Sequence, residues 1–271
     1  MSSPAERPEP ATQAAAAIVQ RERDARGVVT LTLNRPQAFN ALSEALLASL
    51  QRELDVLETD GGARVLVLAG AGKAFCAGHD LREMRAKPSL EYYQRLFAQC
   101  SQMMLTLRRL PIPVIARVHG IATAAGCQLV AQCDLAVAAS DTRFAVSGVN
   151  LGLFCSTPGV PLSRNVPLKE AFEMLVTGDF IDADQALERG LVNRVVPLAA
   201  LDAEVEKLVA GILRKPRVAI ALGKELFYRQ SELPLAAAYE AAGHTMAANM
   251  MEAVALEGVQ AFIDKRAPRW E

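Results

Sequence analysis

The sequence predicts an α/β fold in which short parallel strands alternate with helices, followed by a region made mostly of helices. Three observations support this fold class. Short apolar runs that read as buried strands recur through the first half of the chain. Two of these runs lead into turns of small residues that open into helical patterns, and after Pro161 helical patterns replace the strand signals.

The predicted core begins with a hairpin, because Asp24 to Gly27 is a turn signal between two alternating apolar runs. Ser43 can cap the first helix, whose leucines recur on one face through Leu57. A glycine inside a helix costs about 1 kcal/mol relative to alanine, so the last helix is expected to break near Gly243 or Gly258. Strands are predicted at residues 18–23, 28–34, 64–69, 114–118 and 135–139. Helices are predicted at residues 44–57, 90–109, 170–176, 183–188, 202–214, 217–230 and 235–265, with a short one after the second turn.

Composition indicates a globular protein with one large core. The chain has 271 residues, of which 51% are hydrophobic and 22% charged. It divides into an Ala/Pro/Glu-rich tail at residues 1–17 that we expect to be disordered, an α/β core at 18–200 and a helical region at 201–271. A net charge of −1 provides no general attraction to nucleic acid or to an anionic membrane, so neither is expected as a partner.

Cysteine usage and the first residues bear on the cellular compartment. The five cysteines are odd in number and form no CxxC pair, which indicates reduced thiols and no metal site. No apolar run reaches the length of a membrane span. A mitochondrial transit peptide is the alternative to a cytoplasmic location, but Arg7 is the one basic residue among the first twenty and two glutamates accompany it. We therefore predict a cytoplasmic protein.

Two short turns carry most of the functional information. The first is Phe75 to Leu81, with the sequence F-C-A-G-H-D-L, and the second is Val118 to Gln128, with the sequence V-H-G-I-A-T-A-A-G-C-Q. Small residues in both allow a ligand to approach the backbone closely. If the turns face one pocket, each can donate a backbone N–H to the same carbonyl oxygen, which is the arrangement that stabilises an enolate or a tetrahedral oxyanion.

This pair of turns resembles the enoyl-CoA hydratase/isomerase (crotonase) superfamily, whose pattern is A-G-x-D-[IL] followed later by G-x-A-x-x-G-G-C-E. The likeness covers nearly the whole chain, since residues 31–36, 39–42 and 257–270 also match in order. Two segments resemble one subgroup of the superfamily more than the others. They are residues 122–128, A-T-A-A-G-C-Q, and residues 148–159, G-V-N-L-G-L-F-C-S-T-P-G. The resemblance implies a spiral of repeated ββα units, C-terminal helices that form trimers often paired into hexamers, and backbone N–H groups of His79 and Ala125 as the oxyanion hole.

The resemblance also implies how coenzyme A would be bound as part of an acyl-CoA or enoyl-CoA substrate, with no separate cofactor. Four residues would line the adenine and pantetheine path, and a neighbouring subunit would bring Phe262 and Lys265, the latter to the 3′-phosphate. The four are Phe39, Ala41, Ala77 and Leu81. Asp80 belongs to the same turn, where it is expected to cap or orient the following helix. The alternatives are ordinary core packing and, for Lys265, an interaction with a helix dipole.

Departures from the family pattern leave the reaction open. Hydratases of this family have two glutamates where this chain has Gln128 and Gly148. A positioned carboxyl group commonly contributes about 10²- to 10⁴-fold to such proton transfers, whereas glutamine has no titratable proton. Gln128 could still position a water molecule. Glutamates at both positions should restore hydration if the 153–159 loop, which is longer than in hydratases, leaves room.

Two functions therefore stay open. One is a lyase or isomerase whose acid/base group is not identified, and the other is a weakly catalytic or non-catalytic acyl-CoA-binding protein. The His79 side chain could serve as a general acid, although the family uses the backbone at this position. Cys155 and Ser156 could be nucleophiles, but no histidine stands at a recognisable spacing from them, which favours a lining role.

Overall fold

The computed structural model describes residues 17–270, and in that range the chain forms nine strands and eleven helices. The main sheet has six strands in the order β1-β2-β3-β4-β6-β9. The first pair is antiparallel and the other neighbouring pairs are parallel. The strands are β1 (Val19–Arg23), β2 (Val28–Leu33), β3 (Val65–Gly70), β4 (Val114–Val118), β6 (Leu135–Ala139) and β9 (Arg194–Val196).

A second, smaller sheet has three strands in the order β5-β7-β8. Its members are β5 (Ile121–Thr123), β7 (Arg143–Ala145) and β8 (Ile181–Asp182). β5 pairs parallel with β7, which pairs antiparallel with β8. β5 follows β4 directly, so the second turn passes from the main sheet to the small one.

One or two helices follow each strand or pair of strands up to β9, and the helices after β9 run consecutively. They are α1 (Glu44–Thr59), α2 (Leu81–Ala86), α3 (Leu90–Arg109), α4 (Ala125–Gln132), α5 (Ser156–Asn165), α6 (Leu168–Thr177), α7 (Ala183–Glu188), α8 (Leu201–Leu213), α9 (Arg217–Gln230), α10 (Leu235–Met250) and α11 (Ala253–Ile263). Ser43 caps α1 by accepting a hydrogen bond from Leu46 N–H, as its position predicts. The α/β class and the helical C-terminal region are both confirmed.

The predicted break in the last helix is wrong in position. Gly243 and Gly258 lie inside α10 and α11, and the chain instead turns at Met251 and Glu252. A Cβ at Gly258 would come within 3.1 Å of the Trp270 ring, so this glycine makes room for an aromatic side chain without ending the helix. The short strands β5, β7, β8 and β9 are also absent from the sequence prediction, because runs of two or three residues carry no usable periodicity.

Both faces of the main sheet are covered. On one face, Leu46, Leu50 and Leu54 of α1 join the main hydrophobic cluster together with α3. On the other, α8 packs Leu201 and Val209 among the valines and isoleucine of β3, β4 and β6. Parallel strands buried on both sides read as continuous apolar runs, which is why these strands were recognisable in the sequence.

A partly buried polar cluster fastens α9 to the core. Lys224 Nζ donates hydrogen bonds to Asp134 Oδ2 at 2.7 Å and to the carbonyl oxygens of Leu107 and Ile112 at 3.1 and 2.9 Å. The hydroxyl of Tyr228 donates to Asp134 Oδ1 at 2.7 Å, and Val114 N–H donates to Oδ2 at 2.6 Å. Burial lowers the pKa of Lys224, and the attraction of Asp134 opposes that shift. One carboxylate thus ties α9 to the start of β4.

Residues 17–270 contain neither a membrane-spanning helix nor a metal-binding cluster. None of the helices there is both long and apolar enough to cross a bilayer. No group of three or more His, Cys, Asp or Glu side chains in this range is arranged to hold a metal ion. The five cysteines are free and buried. The predicted disordered tail falls almost entirely on residues 1–16, which lie outside the described part of the chain.

Candidate active site

The two turns predicted from the sequence lie side by side. Cys76 of the first turn pairs with Ala122 of β5 as an isolated parallel bridge. Thr123 reinforces this junction, because its N–H donates to Cys76 O at 3.0 Å and its hydroxyl donates to Ala77 O at 3.1 Å. The segments that follow β3 and β4 are therefore joined by hydrogen bonds from both backbone and side chain.

Small residues are required where the turns touch. Gly78 has φ +91°, and a Cβ at this position would stand 2.9 Å from Ala124 Cβ and 3.3 Å from Ala125 N. A Cβ at Gly126 would overlap the carbonyl oxygen of Cys76. Ala124 itself has φ +48°, an uncommon value for a residue with a side chain. Its N–H donates to Ala145 O at 2.9 Å, which helps to hold this conformation.

Several backbone N–H groups at this contact have no acceptor among residues 17–270, including those of His79 and Ala125. Ala125 is the first residue of α4, where an N–H has no acceptor within its own helix. His79 stands between Gly78, whose carbonyl accepts from Leu42 N–H, and Asp80, whose N–H donates to Leu42 O. Within residues 17–270, neither His79 N–H nor Ala125 N–H donates a hydrogen bond. Both are therefore available to a ligand.

A cavity of about 290 Å³ opens beside these groups. Its walls come from the first turn, α2, α3, the second turn and the segment that leads into α5, and they carry no Asp, Glu, Lys or Arg side chain. The lining residues are Ala77, His79, Leu81, Met84, Phe97, Ala124, Ala125, Ser147, Gly148, Leu151, Leu153, Phe154, Cys155, Ser156, Thr157 and Pro158.

The predicted coenzyme A residues separate into three sets. Ala77 and Leu81 line the cavity, as do His79 and Ala125. The segment that carries Phe39 and Ala41 adjoins it, because Phe39 O accepts a hydrogen bond from Ala77 N–H at 3.0 Å. Phe262 and Lys265 lie at the end of α11 and are not among the lining residues of this chain. A contribution from a neighbouring subunit stays a prediction for these two.

Asn40, which the motif comparison did not single out, fixes the first turn. It is fully buried with φ +55°, and its Nδ2 donates to the carbonyl oxygens of Ala71, Ala74 and Phe75 at 2.8, 2.8 and 3.2 Å. Its Oδ1 accepts from Arg35 N–H at 2.9 Å. Asparagine tolerates the left-handed conformation and is common in turns, so this residue type next to Phe39 was an available signal.

Asp80 holds α2 in place. Its carboxylate accepts from the N–H groups of Arg82 and Glu83 at 3.2 and 3.3 Å and forms an ion pair with Arg35 at 3.0 Å. Burial raises the pKa of this carboxyl. Arg35 and the helix N–H groups together lower the pKa by more than burial raises it, so the pKa lies below its ordinary value. Asp80 is therefore an ionised helix cap and not a base, as its sequence position suggested.

The His79 imidazole is a neutral group in an apolar setting. It packs edge-on against Phe97, with 5.5 Å between ring centroids. Neither ring nitrogen has a hydrogen-bond partner in the described part of the chain. Burial lowers the pKa of His79, and the nearby Leu42 carbonyl, which is outside hydrogen-bonding geometry for the ring, opposes that shift. The ring is thus uncharged at neutral pH.

The two positions of the missing glutamates differ in their surroundings. Gln128 is buried, its Oε1 has no hydrogen-bond partner among residues 17–270, and it does not line the cavity. Its water-positioning role stays a prediction. Gly148 does line the cavity, but a Cβ there would stand 2.7 Å from Cys155 Sγ and would overlap the carbonyl oxygen of Leu153. The space that a glutamate at position 148 needs is absent, contrary to expectation.

Lys265, Arg266 and Arg269 form a basic cluster near the C-terminus, and it is partly neutralised. Arg266 forms two hydrogen bonds with Glu257, at 2.7 and 2.9 Å, and Arg269 N–H donates to the same carboxylate at 2.8 Å. These contacts lower the pKa of Glu257 to about 2. Within residues 17–270, the side chains of Lys265 and Arg269 form no ion pair, so both lie outside this network.

Comparison with known proteins agrees with the fold and the turns. The sequence profile described as enoyl-CoA hydratase/isomerase matches residues 23–271. The chain belongs to the enoyl-CoA hydratase/isomerase family, the crotonase superfamily. The particular group that its motifs resemble is that of enoyl-CoA hydratase domain-containing protein 3. The chain is 44% identical to the Xenopus laevis member over 253 residues, which cover 93% of this chain and 85% of that protein. Identity to the Homo sapiens member is 43% over 248 residues, 92% of this chain and 82% of the relative.

Solved structures show the same fold. A crystal structure of an enoyl-CoA hydratase from Mycobacterium smegmatis superposes with a TM-score of 0.93 at 66% identity, covering 94% of this chain and 99% of that one. The crystal structure of human enoyl Coenzyme A hydratase domain-containing protein 3 gives a TM-score of 0.90 at 42% identity, with 94% and 100% covered. The predicted crotonase-like architecture is confirmed by these superpositions.

The prediction of a cytoplasmic location is contradicted by the same comparison. The Xenopus laevis and Homo sapiens relatives are both named as mitochondrial proteins. The prediction relied on the scarcity of basic residues in the first twenty, and those residues lie almost entirely outside the described structure. The cytoplasmic assignment is therefore withdrawn.

Proposed function

We propose that this protein binds an acyl-CoA or enoyl-CoA thioester and holds its carbonyl oxygen between the N–H groups of His79 and Ala125. The observation that carries this proposal is the presence of two N–H groups without acceptors on turns that touch at Gly78 and Ala124. Two fixed donors directed at one oxygen stabilise the negative charge of an enolate or a tetrahedral intermediate. Family membership supports coenzyme A as part of the substrate, and no separate cofactor is needed.

The coenzyme A moiety extends from the cavity along the first turn. Ala77 and Leu81 line its entrance, and the hydrogen bond from Ala77 to Phe39 O places the half-exposed Phe39 and its neighbour Ala41 next to it. In a homotrimer or hexamer, the exposed Phe262 and Lys265 of a neighbouring chain complete the adenine and 3′-phosphate contacts. The exposure of Phe262, at 84%, supports this arrangement.

A polarised thioester has an acidic α-carbon, so the first candidate activity is that of a lyase or isomerase. Its acid/base group has few candidates in this cavity. His79 and Cys155 are the two lining side chains among Asp, Glu, His, Lys, Tyr and Cys. Burial raises the pKa of the Cys155 thiol, with the N–H of Gly148 opposing the shift, which disfavours a thiolate. The acid/base chemistry therefore differs from the paired carboxylates of hydratases.

The second candidate is an acyl-CoA-binding protein with weak or no catalysis. One specific observation favours it: the cavity wall has no carboxylate, and packing fills the space for one at position 148. Purified protein titrated with butyryl-CoA and crotonyl-CoA, scored for both binding and turnover, separates the two candidates. Turnover supports the lyase or isomerase, and tight binding without turnover supports the binding protein.

A matched pair of variants at Ala125 tests the oxyanion hole. Ala125→Pro removes one N–H at the first position of a helix, where proline is tolerated, and Ala125→Gly retains it. We expect butyryl-CoA labelled with ¹³C at the thioester carbonyl to show a lowered carbonyl stretching frequency when bound to the wild type and to Ala125→Gly. The shift should be reduced in Ala125→Pro.

Thermal unfolding checks that both variants fold. If the wild-type protein bound the labelled thioester with no change in the carbonyl frequency, the oxyanion assignment would be wrong, whatever the behaviour of the variants. Equal shifts in folded Ala125→Pro and Ala125→Gly would remove Ala125 from the site.

A further inference from the structure

We propose that the acyl group taken by this cavity is an uncharged hydrocarbon chain and that an acyl chain ending in a carboxylate is rejected. This inference rests on the proposed function, because it names the class of thioester bound at the same site. It follows from the composition of the cavity wall beyond the two N–H groups.

Large apolar side chains surround the cavity and are only partly covered. Leu81, Leu153 and Phe154 line it and are 52%, 47% and 46% exposed, whereas Met84 and Phe97 form its deeper wall. Contiguous exposed apolar surface of this kind marks a binding groove more often than ordinary surface. A hydrocarbon chain that covers these side chains removes its own methylene groups and theirs from water. Each buried methylene should strengthen binding about fourfold.

No group on the wall compensates a carboxylate. The lining residues include no lysine or arginine, and the His79 ring is neutral because burial lowers its pKa. The nearest ion pair of the first turn, Arg35 with Asp80, is internally neutralised and does not line the cavity. A buried carboxylate without a cation or several hydrogen bonds is strongly disfavoured relative to water.

Apart from the starts of α2 and α4 at the two turns, the start of α5 is the polar feature of the wall that could attract an anion, since the first turn of a helix carries partial positive charge. Its N–H groups are mostly engaged or missing. Ser156 N–H donates to Phe154 O at 2.8 Å, Gly159 N–H donates to Cys155 O at 2.9 Å, and Pro158 has no N–H. The Ser156 hydroxyl is also engaged, because it donates to Phe154 O at 3.4 Å. Thr157 N–H and the hydroxyls of Ser147 and Thr157 remain, and these are insufficient for a full charge.

Hexanoyl-CoA and adipyl-CoA form a matched pair of probes, because both have six-carbon acyl chains and differ in a terminal methyl or carboxylate group. Titration calorimetry with the full-length protein should show hexanoyl-CoA binding at least 100-fold more tightly than adipyl-CoA. It should also bind about 15-fold more tightly than butyryl-CoA, since two further methylenes are buried.

Substitution tests the wall directly. Leu153→Arg adds a cation to the lining. The ratio of the affinity for hexanoyl-CoA to that for adipyl-CoA should fall at least tenfold in this variant. Leu168→Arg, at an exposed leucine of α6 outside the cavity, is the control and should leave the ratio unchanged. Leu151→Arg, at another exposed leucine of the lining, replaces the first variant if Leu153→Arg does not fold.

The outcomes distinguish this inference from the proposed function. Equal affinities for hexanoyl-CoA and adipyl-CoA, or tighter binding of adipyl-CoA, would overturn the inference and leave thioester binding intact. Failure of the wild type to bind any of the three thioesters would overturn the proposed function and the inference together. If Leu153→Arg and Leu168→Arg changed the ratio of the hexanoyl-CoA and adipyl-CoA affinities equally, the assignment of Leu153 to the wall around the acyl chain would be overturned.

Discussion

The Sγ atom of Cys155 accepts a hydrogen bond from the backbone N–H of Gly148 at 3.2 Å and fills the space where a side chain at position 148 would begin. The carbonyl oxygen of Leu153 closes the same space from another direction. Position 148 therefore contributes only backbone to the cavity wall. The side chain beside it is that of Cys155, seven positions later in the sequence. The packing of this chain therefore leaves no room for a glutamate at position 148.

The contact between Gly148 and Cys155 predicts a steric penalty. Gly148→Ala should lower the free energy of unfolding by about 1 to 3 kcal/mol, because the added methyl group has no space. Gly61→Ala is the control, since a Cβ there has no neighbour within 4 Å, and its effect should stay within about 0.5 kcal/mol. Urea unfolding of both variants measures the difference. Equal stability of the two would contradict the packing described here.

Hydration of crotonyl-CoA should be slower than in an ordinary hydratase by about 10⁴-fold or more, because neither Gln128 nor Gly148 can exchange a proton. The double variant Gln128→Glu, Gly148→Glu should not recover the rate, since the second glutamate does not fit. Loss of the enoyl absorbance measures the reaction. Near-normal hydration by the unmodified protein would defeat this prediction and direct the search for a base to His79 and Cys155.

Removal of the buried cation on α9 should be costly. Lys224→Met leaves the partly buried Asp134 carboxylate without its ion-pair partner and should destabilise the protein by about 2 to 3 kcal/mol. Tyr228→Phe removes one hydrogen bond to the same carboxylate and should cost about 1 kcal/mol. Arg95→Met, which breaks an exposed pair with Glu91, should cost no more than about 0.5 kcal/mol. Chemical denaturation that ranked these three variants differently would refute the anchoring role of Asp134.

Acid should weaken the contribution of Asp80 to stability. The pKa of this carboxyl is lower in the folded protein than its ordinary value of 3.8, so its stabilising effect is fully present above that value. The effect is lost as the pH falls through the folded pKa. The difference in unfolding free energy between wild type and Asp80→Asn should therefore be constant near neutral pH and shrink below about pH 4. Arg35→Met should reduce this pH dependence, and a difference that grew in acid would reverse the assignment.

We expect the chain to assemble into trimers or hexamers through α9 to α11. These helices expose large apolar side chains, among them Phe227, Leu235, Tyr239, Met251 and Phe262. Light scattering should give a trimeric or hexameric mass, and Phe262→Glu should lower both the mass and the affinity for coenzyme A. Gln260→Ala, on the same helix, is the control. A stable wild-type monomer with full coenzyme A affinity would show that one chain holds the whole site.

The sequence alone determined the features that depend on neighbouring residues. The helix Leu90–Arg109 and the strand Val114–Val118 were predicted with the observed bounds, because the apolar patterns that mark them are local. The two turns were also recognisable, since their small residues reflect a close backbone approach that any chain with this fold requires. For the same reason the cavity residues on these turns could be named in advance.

Only the tertiary structure decided which distant residues meet. Lys224 and Asp134 are 90 positions apart, and Asn40 reaches carbonyl oxygens more than 30 positions away, so no local pattern reports these contacts. No local pattern reports that Cys155 Sγ fills the space beside Gly148, where hydratases have their second glutamate. Nor does one report that the helices break at Met251 and not at Gly243 or Gly258. Glycine disfavours a helix by about 1 kcal/mol, which packing readily offsets. Periodicity in a sequence encodes which face of an element is buried, whereas the partner that buries it is selected by the packing of the whole chain.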